Sequence, residues 1–133
     1  MPSGPPIKIS TRQLGEVTIL DLVGDITLFN SPQIRKVLLQ LLRDEQVAQL
    51  FVNMTDVKYV DSSGIASLVE GLKISRDLGS RFLLYGLSKP AKTVLELTHL
   101  LQVFEVHANE QDALAPGPNN LTRSAGDGSG ESA

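Results

Sequence analysis

Two adjacent serines sit in the stretch Asp61-Ser62-Ser63-Gly64-Ile65, after an aspartate and before a glycine. An apolar segment leads into them and an amphipathic helical pattern leads away, so the hydroxyls fall at a strand-to-helix junction. Helix N-termini carry unsatisfied N–H groups and a partial positive charge, which accommodate an added phosphate. A serine placed there can carry a charge that is switched on and off. That chemistry points to regulation more than to catalysis. A small hydrolase built on Ser62 and Asp61 would need a positioned base, and no nearby His or Lys is positioned as one. The competing reading is a plain N-cap, with Asp61 or a serine accepting from first-turn N–H groups and Gly64 admitting close packing.

The other reactive side chains form no set. His99 and His107 are the only histidines, and no third His or acid is spaced with them as a metal site or a triad. His99 falls at a helix end, where a cation is favourable. With no cysteine in the chain, disulfides, thiolate nucleophiles and zinc–thiolate sites are excluded. No glycine-rich phosphate loop is present, so no cofactor is expected. The formal net charge is −3, and acids and bases are mixed along the chain. Nothing resembles a phosphate-tracking basic surface, so no direct nucleic-acid contact is expected. No apolar run reaches membrane-spanning length and Met1 to Pro6 has no leader pattern, which predicts a cytoplasmic protein without membrane insertion. A receiver domain has a similar size but needs an acidic pair after its first strand, and none can be placed.

The elements that position Ser62 are legible from periodicity. Residues 1–6 and 116–133 are rich in Pro, Gly and Ser and read as disordered, which leaves a folded unit of 7–115. Ile7 to Gln13 and Val17 to Val23 read as strands joined by a tight turn. Asn30 or Ser31 caps a helix with Pro32 in its first turn, and Ile34, Val37, Leu38, Leu41 and Leu42 form its apolar stripe. Gln49 to Met54 reads as a strand buried on both faces. A helix from about Ser63 to Leu78 stops at Gly79. Arg81 to Tyr85 is a further strand, Ser88-Lys89-Pro90 opens a third helix, Gln102 to Val106 is a short strand, and Asn109 caps a last helix ending near Ala115.

The order β-β-α-β-α-β-α-β-α predicts an α/β fold: a mixed sheet with an N-terminal antiparallel hairpin and helices from right-handed βα crossovers. In such a sheet the strand-to-helix loops gather at the carboxyl ends of the strands. Those loops are 24–31, 55–63 and 86–90, and they bring Asp61 and Ser62 to one edge with the starts of three helices. Asp25 on this edge is either a partner contact or a loop acid beside a helix N-terminus. Ser63 is either a second acceptor or first-turn filler, and filler is favoured because one hydroxyl faces solvent at the junction. Phe29 reads as a staple packing onto the first helix in preference to an interface anchor. Lys58 and Lys89 read as solvated loop residues that could also meet a partner's acid.

Three stretches carry a family resemblance: Gly24-Asp25-Ile26, Asp61-Ser62-Ser63-Gly64 and Leu84-Tyr85-Gly86-Leu87-Ser88-Lys89-Pro90-Ala91. Over about residues 7–115 the chain resembles a STAS domain of the bacterial anti-sigma-factor antagonist type. The resemblance implies a non-enzymatic transcription regulator that works by partner switching. Unphosphorylated, it would bind an anti-sigma factor that is also a serine kinase and so release the sigma factor. Phosphorylation on Ser62 would block binding and a serine phosphatase would restore it. Partner contacts would fall on Asp25, Thr27, Asp61, Ser63 and Gly64. Thr27 is a departure, since many members carry a second acid there on the partner-facing loop. The alternative implied by the same resemblance is a STAS scaffold, or an accessory subunit of a transporter or signalling array.

Overall fold

The computed structural model describes residues 6–115. The expected disordered segments lie almost wholly outside that range.

Strand β1 (Lys8–Leu14) pairs antiparallel with β2 (Val17–Val23) across a turn at Gly15-Glu16. Strands β3 (Gln49–Asp56), β4 (Arg81–Tyr85) and β5 (Glu105–His107) then add in parallel, giving the sheet order β1-β2-β3-β4-β5. Helices α1 (Ser31–Leu39), α2 (Ser62–Leu78) and α3 (Lys89–Leu97) are the crossovers, and α4 (Glu110–Leu114) closes the described chain. Strand order follows chain order, so successive crossovers of one hand lie on one face of the sheet.

Register explains the burial of both faces. Leu20, Val52 and Leu84 align on one face and meet Ile34, Leu38, Leu68, Leu72 and Leu95 of the helices. Ile19, Phe51 and Leu83 align on the other, where Ala113 and Leu114 of α4 cover them. The central strand β3 is therefore apolar without alternation, as a strand covered on both sides must be.

Polar ties hold α4 in place. Arg12 on β1 donates to both carboxylate oxygens of Asp21, at 2.6 and 2.9 Å, and to Glu110 Oε1 at 2.6 Å. Tyr85 Oη donates to the same Glu110 oxygen at 2.6 Å, and Asn53 Nδ2 donates to Asp21 at 2.7 Å.

Most boundaries fall within one or two residues of the sequence expectation, and two elements depart from it further. The first helix does not run evenly through its apolar stripe. After Leu39 it widens into one π-helical turn, Gln40–Asp44, in which the Glu45 N–H bonds the Gln40 carbonyl. The strand expected over Gln102 to Val106 starts only at Glu105. Beyond α3, His99 takes a left-handed φ of 61°, and the N–H groups of Leu100 and Leu101 both turn back to the Leu95 carbonyl. Val103 donates to the Leu100 carbonyl, so this segment coils and buries Phe104 before extended pairing is possible.

Candidate functional site

At the carboxyl ends of β2 and β3, two loops are stitched into one surface. A parallel bridge pairs Ile26 with Val60. The Ile26 N–H donates to the Tyr59 carbonyl at 2.9 Å, and the Asp61 N–H donates to the Ile26 carbonyl at 3.0 Å. Both apolar side chains are fully buried, so this short extension of the sheet is anchored from below.

Asp61 then begins α2. Its backbone is extended and its side chain caps the helix: Oδ1 accepts the Gly64 N–H at 3.0 Å and the Ser63 hydroxyl at 2.5 Å. Oδ2 reaches the other loop and accepts the Leu28 N–H at 2.9 Å. One carboxylate thus satisfies two first-turn donors and ties the β2–α1 loop to the helix, as an N-cap aspartate can. Burial opposes its ionisation, but the hydrogen bonds from Ser63, Gly64 and Leu28 outweigh this and hold the carboxyl below its usual range.

The sequence-derived site residues separate into two kinds. Ser62 is exposed, and its hydroxyl has no hydrogen-bond partner among the described residues. Asp25, Thr27, Asp61, Ser63 and Gly64 all serve the local architecture. Asp25 is exposed and its Oδ1 accepts the Tyr59 N–H at 3.2 Å. The Thr27 hydroxyl accepts the Phe29 N–H at 3.3 Å, and the Thr27 carbonyl accepts the N–H groups of Asn30 and Ser31. Thr27 thereby shapes the turn leading into α1, at the position where an acid was expected from the resemblance. Gly64 is buried, and a Cβ added to it would lie 2.5 Å from Ile26 Cγ2 and 2.7 Å from Val60 Cγ1. Gly64 thus presents little surface of its own at this edge. Lys58 and Lys89 are exposed, and the Lys58 carbonyl accepts the Ser88 hydroxyl that also caps α3.

Phe29 overturns the staple reading. It is 68% exposed, and Leu28 beside it is 66% exposed. Ile34, the α1 residue such a staple would pack on, is buried in the core without it. With Tyr59 also largely exposed, three large apolar side chains stand on the loop edge that carries Ser62. Leu28 and Tyr59 escaped the sequence reading; the signal was an apolar pair, Leu28-Phe29, inside a segment with no helical or strand period. A groove of about 730 Å³ continues from Ser62 along α2, lined by Ile65, Ala66, Val69, Lys73 and Leu100.

Neither histidine joins this edge. His107 contacts Glu105 at 2.8 Å on the α4 side of the sheet, and His99 lies past the end of α3. Among the described residues no group of three or more acids and histidines could hold a metal ion, and no helix is long and apolar enough to cross a membrane.

A mixed sheet with its crossover helices on one face, and an exposed serine opening the second of them, defines a small α/β domain. The STAS domain family model matches residues 8–113, and the chain belongs to that family. It is 27% identical over 100 residues to an anti-sigma-B factor antagonist from Listeria monocytogenes, a match covering 75% of this chain and 86% of that one. The fold is shared with the crystal structure of an anti-sigma factor antagonist from Mycobacterium paratuberculosis. That match has a TM-score of 0.74 at 21% identity and covers 84% of this chain and 95% of that one. It is shared too with the Bacillus cell fate determinant SpoIIAA in its phosphorylated form, with a TM-score of 0.64 at 18% identity over 80% and 96% of the chains.

Proposed function

We propose that this protein is an anti-sigma-factor antagonist switched by phosphorylation of Ser62. The observation that carries the reading is the contrast at the start of α2. One serine offers a free, exposed hydroxyl, and the residues around it are committed to holding the loop edge in shape. The exposed Leu28, Phe29 and Tyr59 supply apolar contact area on the same loop edge, and aromatic side chains such as the last two are enriched at protein interfaces. The name of the Listeria relative and the phosphorylated form of the Bacillus neighbour support the same reading.

In this scheme the unmodified edge binds an anti-sigma factor that is itself a serine kinase, and the sigma factor is released. A phosphoserine adds about −1.5 to −2 charge. Buried against a partner without a matching cation, that charge costs several kcal/mol, and each 1.4 kcal/mol is about a decade in affinity. A serine phosphatase would reset the switch. The test is calorimetric titration of the unmodified and Ser62-phosphorylated full chain against the anti-sigma kinase encoded by the source organism. The phosphorylated form is expected to bind at least about 100-fold more weakly, a difference of about 2.7 kcal/mol. Equal affinities would sink the switch.

A further inference from the structure

Ser62 and Ser63 are neighbours with opposite commitments. The Ser63 hydroxyl donates to Asp61 Oδ1 at 2.5 Å and its side chain is half-buried, while the Ser62 hydroxyl is exposed and unpartnered among the described residues. A hydrogen bond from a hydroxyl to a carboxylate is among the stronger kinds, and this one is short. Asp61 is also not free to follow Ser63 outward. The Gly64 N–H holds the same oxygen at 3.0 Å and the Leu28 N–H holds the other at 2.9 Å. The Ser63 carbonyl is engaged as well, by the Ser67 hydroxyl at 3.2 Å.

Phosphoryl transfer asks the acceptor oxygen to come into line with the phosphorus and to pass its proton to a base. At Ser62 that is open. The Ser62 Oγ–phosphorus bond forms as the bond from the γ-phosphorus of a nucleoside triphosphate to its bridging oxygen breaks. The nucleoside diphosphate leaves, and the hydroxyl proton goes to the kinase's base. At Ser63 the proton already points into Asp61, and turning the hydroxyl outward would leave a carboxylate short of a donor.

We propose that Asp61 is a positioning residue that makes Ser62 the sole phosphoacceptor by locking the neighbouring Ser63 hydroxyl; the proposal rests on the phosphorylation reading above. The full chain and the variants Ser62→Ala, Asp61→Ala, Asp61→Gly, Asp61→Ala/Ser62→Ala and Asp61→Gly/Ser62→Ala would be expressed in the source organism. Fragment-ion mass spectrometry would place the phosphate between the two serines. Glycine is a tolerated N-cap, so the Gly variants keep the helix start while removing the carboxylate. Amide spectra would verify that each variant is folded.

The wild-type chain should carry phosphate on Ser62 alone, and Ser62→Ala should carry less than a tenth of it on any serine. Both double variants should regain at least tenfold more on Ser63 than Ser62→Ala. A general loss of structure would lower total phosphate without moving it, so the position is the deciding readout. Phosphate on Ser63 in Ser62→Ala at wild-type levels would overturn the lock. So would double variants that stay unmodified while the single Asp61 variants are phosphorylated on Ser62. Folded Asp61 variants with no phosphate at all would make Asp61 a recognition element for the kinase, which also overturns it. A wild-type chain modified on neither serine under any condition would instead bring down the functional reading, and the selection with it.

Discussion

Gly64 lies so close to Ile26 that a β-carbon on the glycine would sit 2.5 Å from the isoleucine Cγ2. Helix α2 thus starts directly on the bridge between the two loops. Gly64→Ala would gain up to about 1 kcal/mol of helix propensity. It would also force apart Ile26 and Val60, both fully buried, and overpacking of that kind costs about 1–3 kcal/mol. Net destabilisation is expected, read as a lower denaturant midpoint at unchanged slope. The same variant should bind its partner less well, because the loop edge rests on this contact.

Leu28 and Phe29 should matter to binding and hardly to stability. Both are exposed, and neither belongs to the buried core. Truncating exposed side chains ordinarily changes stability by about 0.5 kcal/mol or less. Apolar anchors at an interface are worth about 1–2 kcal/mol or more. Phe29→Ala and Leu28→Ala are each expected to melt close to the wild type and to lose about tenfold or more in affinity for the anti-sigma kinase. A variant with full affinity would remove its residue from the interface.

The α4 clasp predicts a local acid transition. Hydrogen bonding from Arg12 holds Asp21 below its usual range, and bonding from Arg12 and then Tyr85 does the same for Glu110. A carboxyl with a depressed native pKa contributes stability that is complete above its unfolded range, near pH 4–5, and is lost as pH falls through the native value. Tyr85 has the opposite sign: burial and Glu110 raise it, so its contribution is complete below the ordinary tyrosine range and fades at alkaline pH. Amide exchange followed from pH 7 to pH 2 should therefore show α4 losing protection before β2 and β3. Glu110→Gln should weaken α4 at neutral pH and flatten this dependence. An α4 that opens only with the whole domain would count against the clasp.

Among the described residues the apolar core clusters run from Ile7 to Leu114, and the sequence of 116–133 offers no apolar periodicity that could add to them. A chain ending at Ala115 is accordingly expected to melt within a few degrees of the full length. A large drop would mean that residues 116–133 contribute to the fold.

What could be read from the sequence had local causes. Val17 to Val23 and Arg81 to Tyr85 match their strands because apolar runs bounded by glycine leave few alternatives. The start of α2 was set by Asp61 and its end by Gly79, which takes the left-handed φ of 75° that closes a helix. The misplaced fifth strand depended on where Phe104 finds a cavity, a tertiary fact with no local signature. At the site, Phe29 is exposed while the α1 core closes on Ile34 without it, an outcome with no local signature. The bond from Leu28 to Asp61 joins residues 33 positions apart and has no motif of its own. The clasp of Arg12 to Glu110 spans 98 positions and was likewise invisible.

Phosphorylation of Ser62 is expected to switch binding without unfolding the domain. The helix dipole favours a phosphate at this position by about 0.3–1 kcal/mol. Asp61, ionised and adjacent, opposes it by a comparable amount, screened because Ser62 faces water. The sum is small against a domain stability of about 5–15 kcal/mol. Among the described residues the Ser62 hydroxyl also makes no hydrogen bond whose loss would loosen the loops, since Asp61 and not Ser62 holds Leu28. At an interface the same charge would be stripped of water, and an unpaired buried charge costs several kcal/mol. The partner, and not the fold, should feel the phosphate. Melting curves and amide spectra of the two forms, compared with their affinities for the anti-sigma kinase, test this. The expected result is a melting shift of a few degrees, spectral changes confined to the loops around Asp25 and Asp61 and the first turn of α2, and a large loss of affinity. A shift above about 10 °C, or spectral changes across the whole sheet, would replace an interface mechanism with global remodelling.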